Sequence, residues 1–355
     1  MELYAVIMAG GVGSRFWPRS KERKPKQLIR IFGDNTMIQD TVKRMEGLVE
    51  PKNIFVITNK VQKPRVIEQL PQLPQENIVD EPFGKNTAAC IGLASVLIKA
   101  KNNEAVVLTL PSDHLIKDED EFRKCLKNAA EFAYESKGLV TIGITPNRPE
   151  TGYGYIQFDE KEISSNIYKV LTFAEKPNLA TARRFIESGD FLWNAGIFIW
   201  RVDTILEEIK NFLPDLHEGL LEIESAIGTA DFEKQLVNVY GQLKSISIDY
   251  GVMEKAHNVY LTKADFYWND VGSWEAVYEV AEKDEEGNAL VGDVYTEKTF
   301  GSYVFSPKKF VATIGVENLI IIDTHEALLV CNRDNAQEVR QIVEYLKMNK
   351  RSELI

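Results

Sequence analysis

The stretch Tyr4-Ala5-Val6-Ile7-Met8-Ala9-Gly10-Gly11-Val12-Gly13-Ser14-Arg15 runs an apolar segment straight into a glycine-rich turn. Phe16-Trp17-Pro18-Arg19-Ser20-Lys21-Glu22-Arg23-Lys24-Pro25-Lys26-Gln27 follows with a run of cations. Continuous apolarity from Tyr4 to Ala9 suits a strand buried on both faces of a parallel sheet, where a half-exposed edge strand would alternate. Gly10, Gly11 and Gly13 let the backbone turn sharply and approach a ligand with no Cβ in the way. Amides bared in such a loop form a concave site for phosphate oxygens, and Arg15 and Lys26 add full charges. The pattern reads as a grip for a nucleoside triphosphate. The dinucleotide fingerprint would need glycine or alanine at Phe16, which argues against a dehydrogenase, and a P-loop would need Gly-Lys-Ser/Thr.

Outward from this loop, strand-like runs at Tyr4 to Ala9, Ile54 to Thr58, Ala105 to Leu110 and Leu139 to Ile144 alternate with helix-like segments near Met37 to Glu46, Thr87 to Lys101 and Glu119 to Ser136. Alternation of this kind implies βαβ crossovers and an α/β fold, a doubly wound, mostly parallel sheet with helices on both faces. Further strands are expected at Tyr168 to Phe173, Ile197 to Trp200 and Asn258 to Thr262. Ligands of open α/β sheets bind beyond the carboxyl ends of the strands, so the glycine loop, Asp113 and Glu175, each following a strand-like run, should converge. After Lys283-Asp284-Glu285-Glu286-Gly287-Asn288 the runs become short and β-rich: Val291 to Tyr295, Ser302 to Phe305, Phe310 to Ile314, Leu319 to Ile322 and Ala327 to Cys331. They predict a small β-helix-like or meander module, closed by a helix with Asp334 as N-cap and Val339, Ile342, Val343 and Leu346 on one face. The expected domains are 1–283 and 284–355.

With 355 residues, 44% of them hydrophobic, the chain can fill a large domain and a small one. A net charge of −11 argues against a nucleic-acid partner, which would call for a basic stripe, and makes the cations between Arg15 and Lys26 a local exception suited to a small polyanion. Cys90, Cys125 and Cys331 have neither disulfide-framework nor zinc spacing and read as packed thiols. No apolar stretch is long enough to span a bilayer and the N-terminus lacks a basic leader, so no membrane partner and a cytoplasmic setting are expected. The histidines, His114, His217, His257 and His325, are scattered without metal-ligand spacing, and none is assigned a catalytic role.

Gly10-Gly11-x-Gly13-x-Arg15-x-Trp17-Pro18 with Pro25-Lys26-Gln27 resembles the signature of the sugar-nucleotide pyrophosphorylases. Matching segments continue at Glu81-Pro82-Phe83-Gly84-Lys85-Asn86-Thr87-Ala88, Pro111-Ser112-Asp113-His114, Thr151-Gly152-Tyr153-Gly154-Tyr155-Ile156, Phe173-Ala174-Glu175-Lys176-Pro177, Trp193-Asn194-Ala195-Gly196 and Asp270-Val271-Gly272-Ser273-Trp274. The Arg-Phe-Trp-Pro and Pro-Lys-Gln details resemble the bacterial members that join GTP to mannose 1-phosphate. The resemblance implies a Rossmann-like, GT-A-like nucleotidyltransferase domain with a mixed, mostly parallel sheet, a C-terminal left-handed β-helix-like element used for homodimer contacts, and Mg²⁺ or another divalent cation as cofactor. Many bacterial relatives carry an added isomerase domain; this chain is expected to have the transferase activity alone.

On that reading Asp113 and Asp270, distant in sequence, hold one metal ion together, since Mg²⁺ binds through one or two carboxylates plus substrate phosphates. Taken singly, each aspartate fits a turn or a cap equally well. Arg15 and Lys26 would neutralise the departing pyrophosphate and Lys176 the sugar phosphate; a solvated surface cation is the alternative for each, most of all for Lys26 in its run of like charges. Ala9, Gly10, Gly11, Gly13, Ser14, Pro111 and Asp113 complete the nucleotide site. Glu81, with Asn86 and Thr87, is implied as the partner of the guanine edge, whose N1–H and N2 amine a carboxylate can accept together. Tyr153, Gly154, Glu175 and Asn194 are expected at the sugar, with Glu175 accepting from hydroxyls; an exposed Glu175–Lys176 pair and plain β-turns are the competing readings. Trp17, Trp193, Trp268 and Trp274 are expected to pack the pocket walls. Another nucleotide or hexose 1-phosphate, or a non-catalytic sugar-nucleotide-binding subunit, remain as alternatives.

Overall fold

Tyr4, Ala5, Val6 and Ile7 are all buried, and strand β1 (Leu3–Met8) accordingly lies inside a nine-stranded sheet of the computed structural model, which describes all 355 residues. The chain packs as two units. Met1–Gly10, Thr41–Ser112 and Ile116–Trp268 form the first; Gly11–Asp40, Asp113–Leu115 and Asn269–Ile355 form the second.

In the first unit β1 is joined by β2 (Ile54–Asn59), β3 (Ile78–Glu81), β4 (Val106–Pro111), β6 (Leu139–Ile144), β7 (Gly154–Ser164), β8 (Ile167–Glu175), β9 (Phe191–Arg201) and β10 (Val259–Lys263), leaving the two-residue strands β5 (Leu115–Ile116) and β11 (Trp268–Asn269) outside. The order is β3-β2-β1-β4-β9-β6-β10-β8-β7, with β9 also pairing β7. Only β8 and β9 run against the other strands, so the sheet is mixed but mostly parallel, as expected. The helix Asn86–Lys99 packs on the face bearing Tyr4 and Val6, while Ala5 and Ile7 on the other face are equally buried. Two-sided burial is why β1 is apolar throughout.

The reversed strand β9 brings its amino end to the carboxyl end of β6, with Asn194 opposite Gly143 and Trp193 opposite Ile144. Gly154 at the start of β7 faces Glu175 at the end of β8. The first unit thus gathers Gly154, Glu175 and Asn194 at one edge of its sheet.

In the second unit β12 (Ala289–Glu297), β13 (Tyr303–Ile314) and β14 (Leu319–Asp323) stack in parallel, and β15 (Leu328–Asn332) returns antiparallel to β14. The separate runs Ser302 to Phe305 and Phe310 to Ile314 belong to the single strand β13, whose register against β12 shifts between Gly292 and Val294. The final helix, Val339–Met348, buries Val339 and Leu346 and half-buries Ile342 and Val343. Asp334 is not its cap: a 3₁₀ turn, Arg333–Glu338, precedes the helix, and Asn332 Oδ1 caps that turn by accepting from Asp334 N at 2.9 Å. Phe16, Trp17 and Met37 pack into one core with Trp274, Tyr303, Ile320 and Val339. Trp274 Nε1 donates to Trp17 O at 3.1 Å, and Trp17 Nε1 to Leu354 O at 2.9 Å. The basic segment after the glycine loop therefore packs with residues of the segment 269–355. No helix is long and apolar enough to cross a membrane.

Candidate functional site

Gly13 adopts φ 62° and ψ 39°, a left-handed conformation that opens the 3₁₀ turn Ser14–Phe16. Ser20 Oγ donates to Gly13 O at 2.6 Å and Gln27 Nε2 to Gly11 O at 2.9 Å, so the loop is held from behind. In front of it is a cavity of about 380 Å³ within the second unit, lined by Gly13, Ser14, Arg15, Lys26, Asp113 and Asp270. Six residues proposed from sequence are thereby brought together, with His114 and Gly272 beside them.

Lys26 is the buried cation of this group, 4% exposed, which goes against the alternative of a solvated surface cation, while Arg15 is exposed. The lysine ammonium lies 2.9 Å from Asp113 Oδ2 and donates to Asp270 O at 2.6 Å, with its charge 5.4 Å from the Phe16 ring centroid. Burial pushes the Asp113 carboxyl up, but Lys26, His114 and hydrogen bonds from Lys26 and its own backbone outweigh burial and hold it below its ordinary value. Asp270 is aimed by the turn after it: Val271 has φ 47°, and Gly272 N donates to Asp270 Oδ1 at 3.1 Å. Arg15 has no hydrogen bond or ion pair of its own.

In the first unit Glu81 ends β3, 7% exposed, with Tyr240 Oη donating to its Oε1 at 3.2 Å. A Cβ placed on Gly10 would come 3.5 Å from Glu81 Oε2, so the carboxylate lies over bare glycine backbone. Burial pushes this carboxyl up to about 7, against the lowering effect of the tyrosine bond. Ala9 N is bonded to Ile57 O at 2.7 Å, and Pro111 closes β4 opposite Met8. Asn86, at φ 67°, starts the helix Asn86–Lys99, and its Oδ1 accepts from Thr87 N at 2.8 Å. The Thr87 hydroxyl accepts from Ile248 N at 2.9 Å, a structural bond.

At the other group, Lys176 has φ 49° and its N–H bonds Tyr153 O at 3.2 Å. This left-handed residue is how neighbouring Glu175 and Lys176 escape the opposite-face rule for strands, and their charges meet at 2.5 Å. Glu175 is mostly buried, and its Oε2 has no partner. A Cβ on Gly154 would lie 2.3 Å from that oxygen and 3.3 Å from Asn194 Cβ. Asn194 Oδ1 accepts from Thr141 Oγ1 and from Gly196 N, both at 3.0 Å, and Nδ2 donates to Asp249 Oδ1 at 3.0 Å. Tyr153 packs edge-on against Trp193 and Trp268, with ring centroids 5.1 and 5.4 Å away.

A family model described as nucleotidyl transferase matches residues 4–287. The chain belongs to the nucleotidyl transferase family. A second model, described as a MannoseP isomerase/GMP-like beta-helix domain, matches residues 294–346 of this transferase, so the two models meet between 287 and 294. It is 42% identical to mannose-1-phosphate guanylyltransferases of Klebsiella pneumoniae and of Escherichia coli, each over 99% of this chain and 75% of the relative. A solved structure from Thermus thermophilus, described as a mannose-1-phosphate geranyltransferase, superposes with a TM-score of 0.89 at 34% identity, covering 98% of this chain and all of that one.

The transferase also places residues that sequence reasoning passed over. Asp249 begins a π-helical turn, Asp249–Met253. Burial, then the charge of Glu175, push its carboxyl up to about 6. The signal was a lone carboxylate in the apolar run Ile246-Ser247-Ile248-Asp249-Tyr250-Gly251-Val252-Met253. Tyr240 carried no such signal, because its link to Glu81 exists only in three dimensions.

Proposed function

We propose that the protein transfers a guanylyl group from GTP to mannose 1-phosphate, releasing GDP-mannose and pyrophosphate. The observation that carries this reading is the cavity in which Arg15, Lys26, Asp113 and Asp270 face the glycine turn. An oxygen of the sugar phosphate forms a bond to the α-phosphorus as the bond to the bridging oxygen of the β-phosphate breaks, and pyrophosphate departs with the electron pair. The nucleophile is already an anion, so the protein has to align two polyanions and offset their repulsion rather than abstract a proton.

The turn at Gly13 and Ser14 presents backbone to the phosphates, and Arg15, which has no partner in the protein, is available to them. Asp113 and Asp270 suit a hard divalent cation such as Mg²⁺: both supply oxygen, both line the cavity, and the Lys26 ammonium already sits against the carboxylate of one and the carbonyl of the other. When bound, such an ion supplies charge neutralisation at the phosphates. The unpartnered Glu175 Oε2 is suited to accept from a sugar hydroxyl, with Lys176 beside it for the phosphate. Gly154→Ala would push a methyl group into that carboxylate, and we expect the KM for mannose 1-phosphate to rise about tenfold or more with the KM for GTP unchanged.

Glu81, ionised, can accept both guanine donors; neutral, it cannot. With its carboxyl at about 7, GTP affinity should be full above pH 7 and fall as pH drops, by about tenfold at pH 6, because binding then has to release a proton. Titration calorimetry of GTP between pH 5.5 and 8.5 measures this. The limb should be absent for ATP and in Glu81→Gln, and a GTP affinity that is flat with pH would remove Glu81 from the base site.

A cytoplasmic homodimer belongs to the same reading, with exposed Tyr295, Phe310 and Ile314 supplying apolar surface for a second copy; sedimentation velocity would read it. The deciding experiment is pyrophosphate release with Mg²⁺, offering GTP, ATP, UTP and dTTP each with mannose 1-phosphate and glucose 1-phosphate. Release confined to GTP with mannose 1-phosphate and lost in Asp270→Asn is expected. Another preferred pair would overturn the base and sugar assignments, and binding without release would make the chain a regulatory subunit.

A further inference from the structure

The helix Val339–Met348 packs against the turn Ser14–Phe16, and its second residue, Arg340, lines the same cavity as Arg15 and Lys26. Arg340 is exposed and has no hydrogen bond, ion pair or aromatic partner, although acidic side chains outnumber basic ones in this protein, 53 to 42. Another cation of the helix behaves otherwise: Lys347, two turns further along the same face, pairs with Glu22 at 2.9 Å. The cations Arg15, Lys26 and Arg340 outnumber the carboxylates Asp113 and Asp270 around this cavity, which favours a bound anion there. A guanidinium suits that role, since its planar fork grips phosphate oxygens in pairs. Lys26 is already paired with the Asp113 carboxylate and bonded to the Asp270 carbonyl, whereas Arg15 and Arg340 bring cations with no protein partner to the same cavity.

We propose that Arg340 is a pyrophosphate-binding residue: the C-terminal module supplies from its last helix the second arginine that holds the departing β- and γ-phosphates. The assignment rests on the transferase reading of the cavity and adds a role for the C-terminal segment in chemistry. The arginine forms and breaks no covalent bond. It offsets charge that grows on the leaving group, so its loss should be felt by pyrophosphate and GTP and not by the sugar.

The test compares wild type with Arg340→Gln, Arg340→Lys and Lys347→Gln, the last removing the same charge from the same helix outside this cavity. Calorimetric binding of inorganic pyrophosphate should weaken about 10- to 100-fold in Arg340→Gln, recover in part in Arg340→Lys and stay unchanged in Lys347→Gln. In turnover, the KM for GTP and the inhibition constant for pyrophosphate should rise together while the KM for mannose 1-phosphate holds. Wild-type pyrophosphate affinity in folded Arg340→Gln, or an equal loss in Lys347→Gln, overturns the proposal. A wild type that binds pyrophosphate through Arg340 but transfers no nucleotide would overturn the proposed reaction and leave this assignment standing.

Discussion

Lys26→Met is expected to lower kcat/KM for GTP by about 10³-fold, the loss seen when one preorganised charge aimed at a developing anion is removed. The same change should destabilise the free protein by about 2 kcal/mol, because Asp113 then keeps a partly buried charge without its cation; a third of its side chain meets solvent, which moderates the cost. The pH dependence follows from the sign of the Asp113 shift. Its carboxyl is held low in the folded protein, so the ion pair stabilises above the ordinary aspartate range and that stability is lost as pH falls through the folded value. Lys26→Met should flatten this acid limb. Adding Asp113→Asn should return most of the melting temperature and none of the activity. Lys26→Arg should not rescue turnover, since a planar guanidinium cannot occupy the compact position 2.9 Å from Asp113 Oδ2 and 2.6 Å from Asp270 O. Near-wild-type turnover in Lys26→Met would remove the lysine from the reaction.

Gly13→Ala should be almost as damaging, for a steric reason. A Cβ at Gly13 would lie 2.7 Å from Lys26 Cβ and 2.9 Å from Lys26 N, and the neighbour is backbone that cannot swing away. The left-handed φ of 62° adds roughly 1–2 kcal/mol for any residue with a Cβ. Either the turn leaves the phosphates or Lys26 leaves Asp113, and a displacement of about 1 Å at such a site costs roughly 10²-fold in rate. Thermal melts with and without GTP separate the two consequences: the variant should melt lower and gain less from the nucleotide. Gly11→Ala, with open space around its Cβ, serves as the comparison and should keep a normal melting temperature. Equal behaviour of the two variants would sink the argument.

Much of the fold was legible because burial leaves a mark on composition. The helix at Glu119–Ser136 carries its period openly and the strand at Leu139–Ile144 is a short, fully buried run, and both were bounded from sequence. β7 was missed because most of it beyond Phe158 is exposed and polar, and β3 because it has four residues. The expected cap at Asp334 failed because an extra 3₁₀ turn intervenes, and choosing between Asn332 and Asp334 takes backbone angles. Among the residues that line the cavity, Gly13, Arg15, Lys26, Asp113 and Asp270 could be named in advance because few residue types suit a polyanion. Whether Lys26 or Arg15 is buried could not, since both lie in the same cationic run.

The sequence by itself determined the alternation of strands and helices, the sharp turn at Gly10, Gly11 and Gly13, and the charges that suit a polyanion, because each depends on residues close together in the chain. Only the tertiary structure decided that the basic segment packs with the C-terminal module, that Lys26 is clasped by Asp113 and Asp270, that Glu81 is pushed up to about 7 by burial, and that Arg340 lines the same cavity as Arg15 and Lys26. Those properties depend on which distant groups exclude water from one another, and desolvation and Coulomb energy are set by distance in space rather than along the chain.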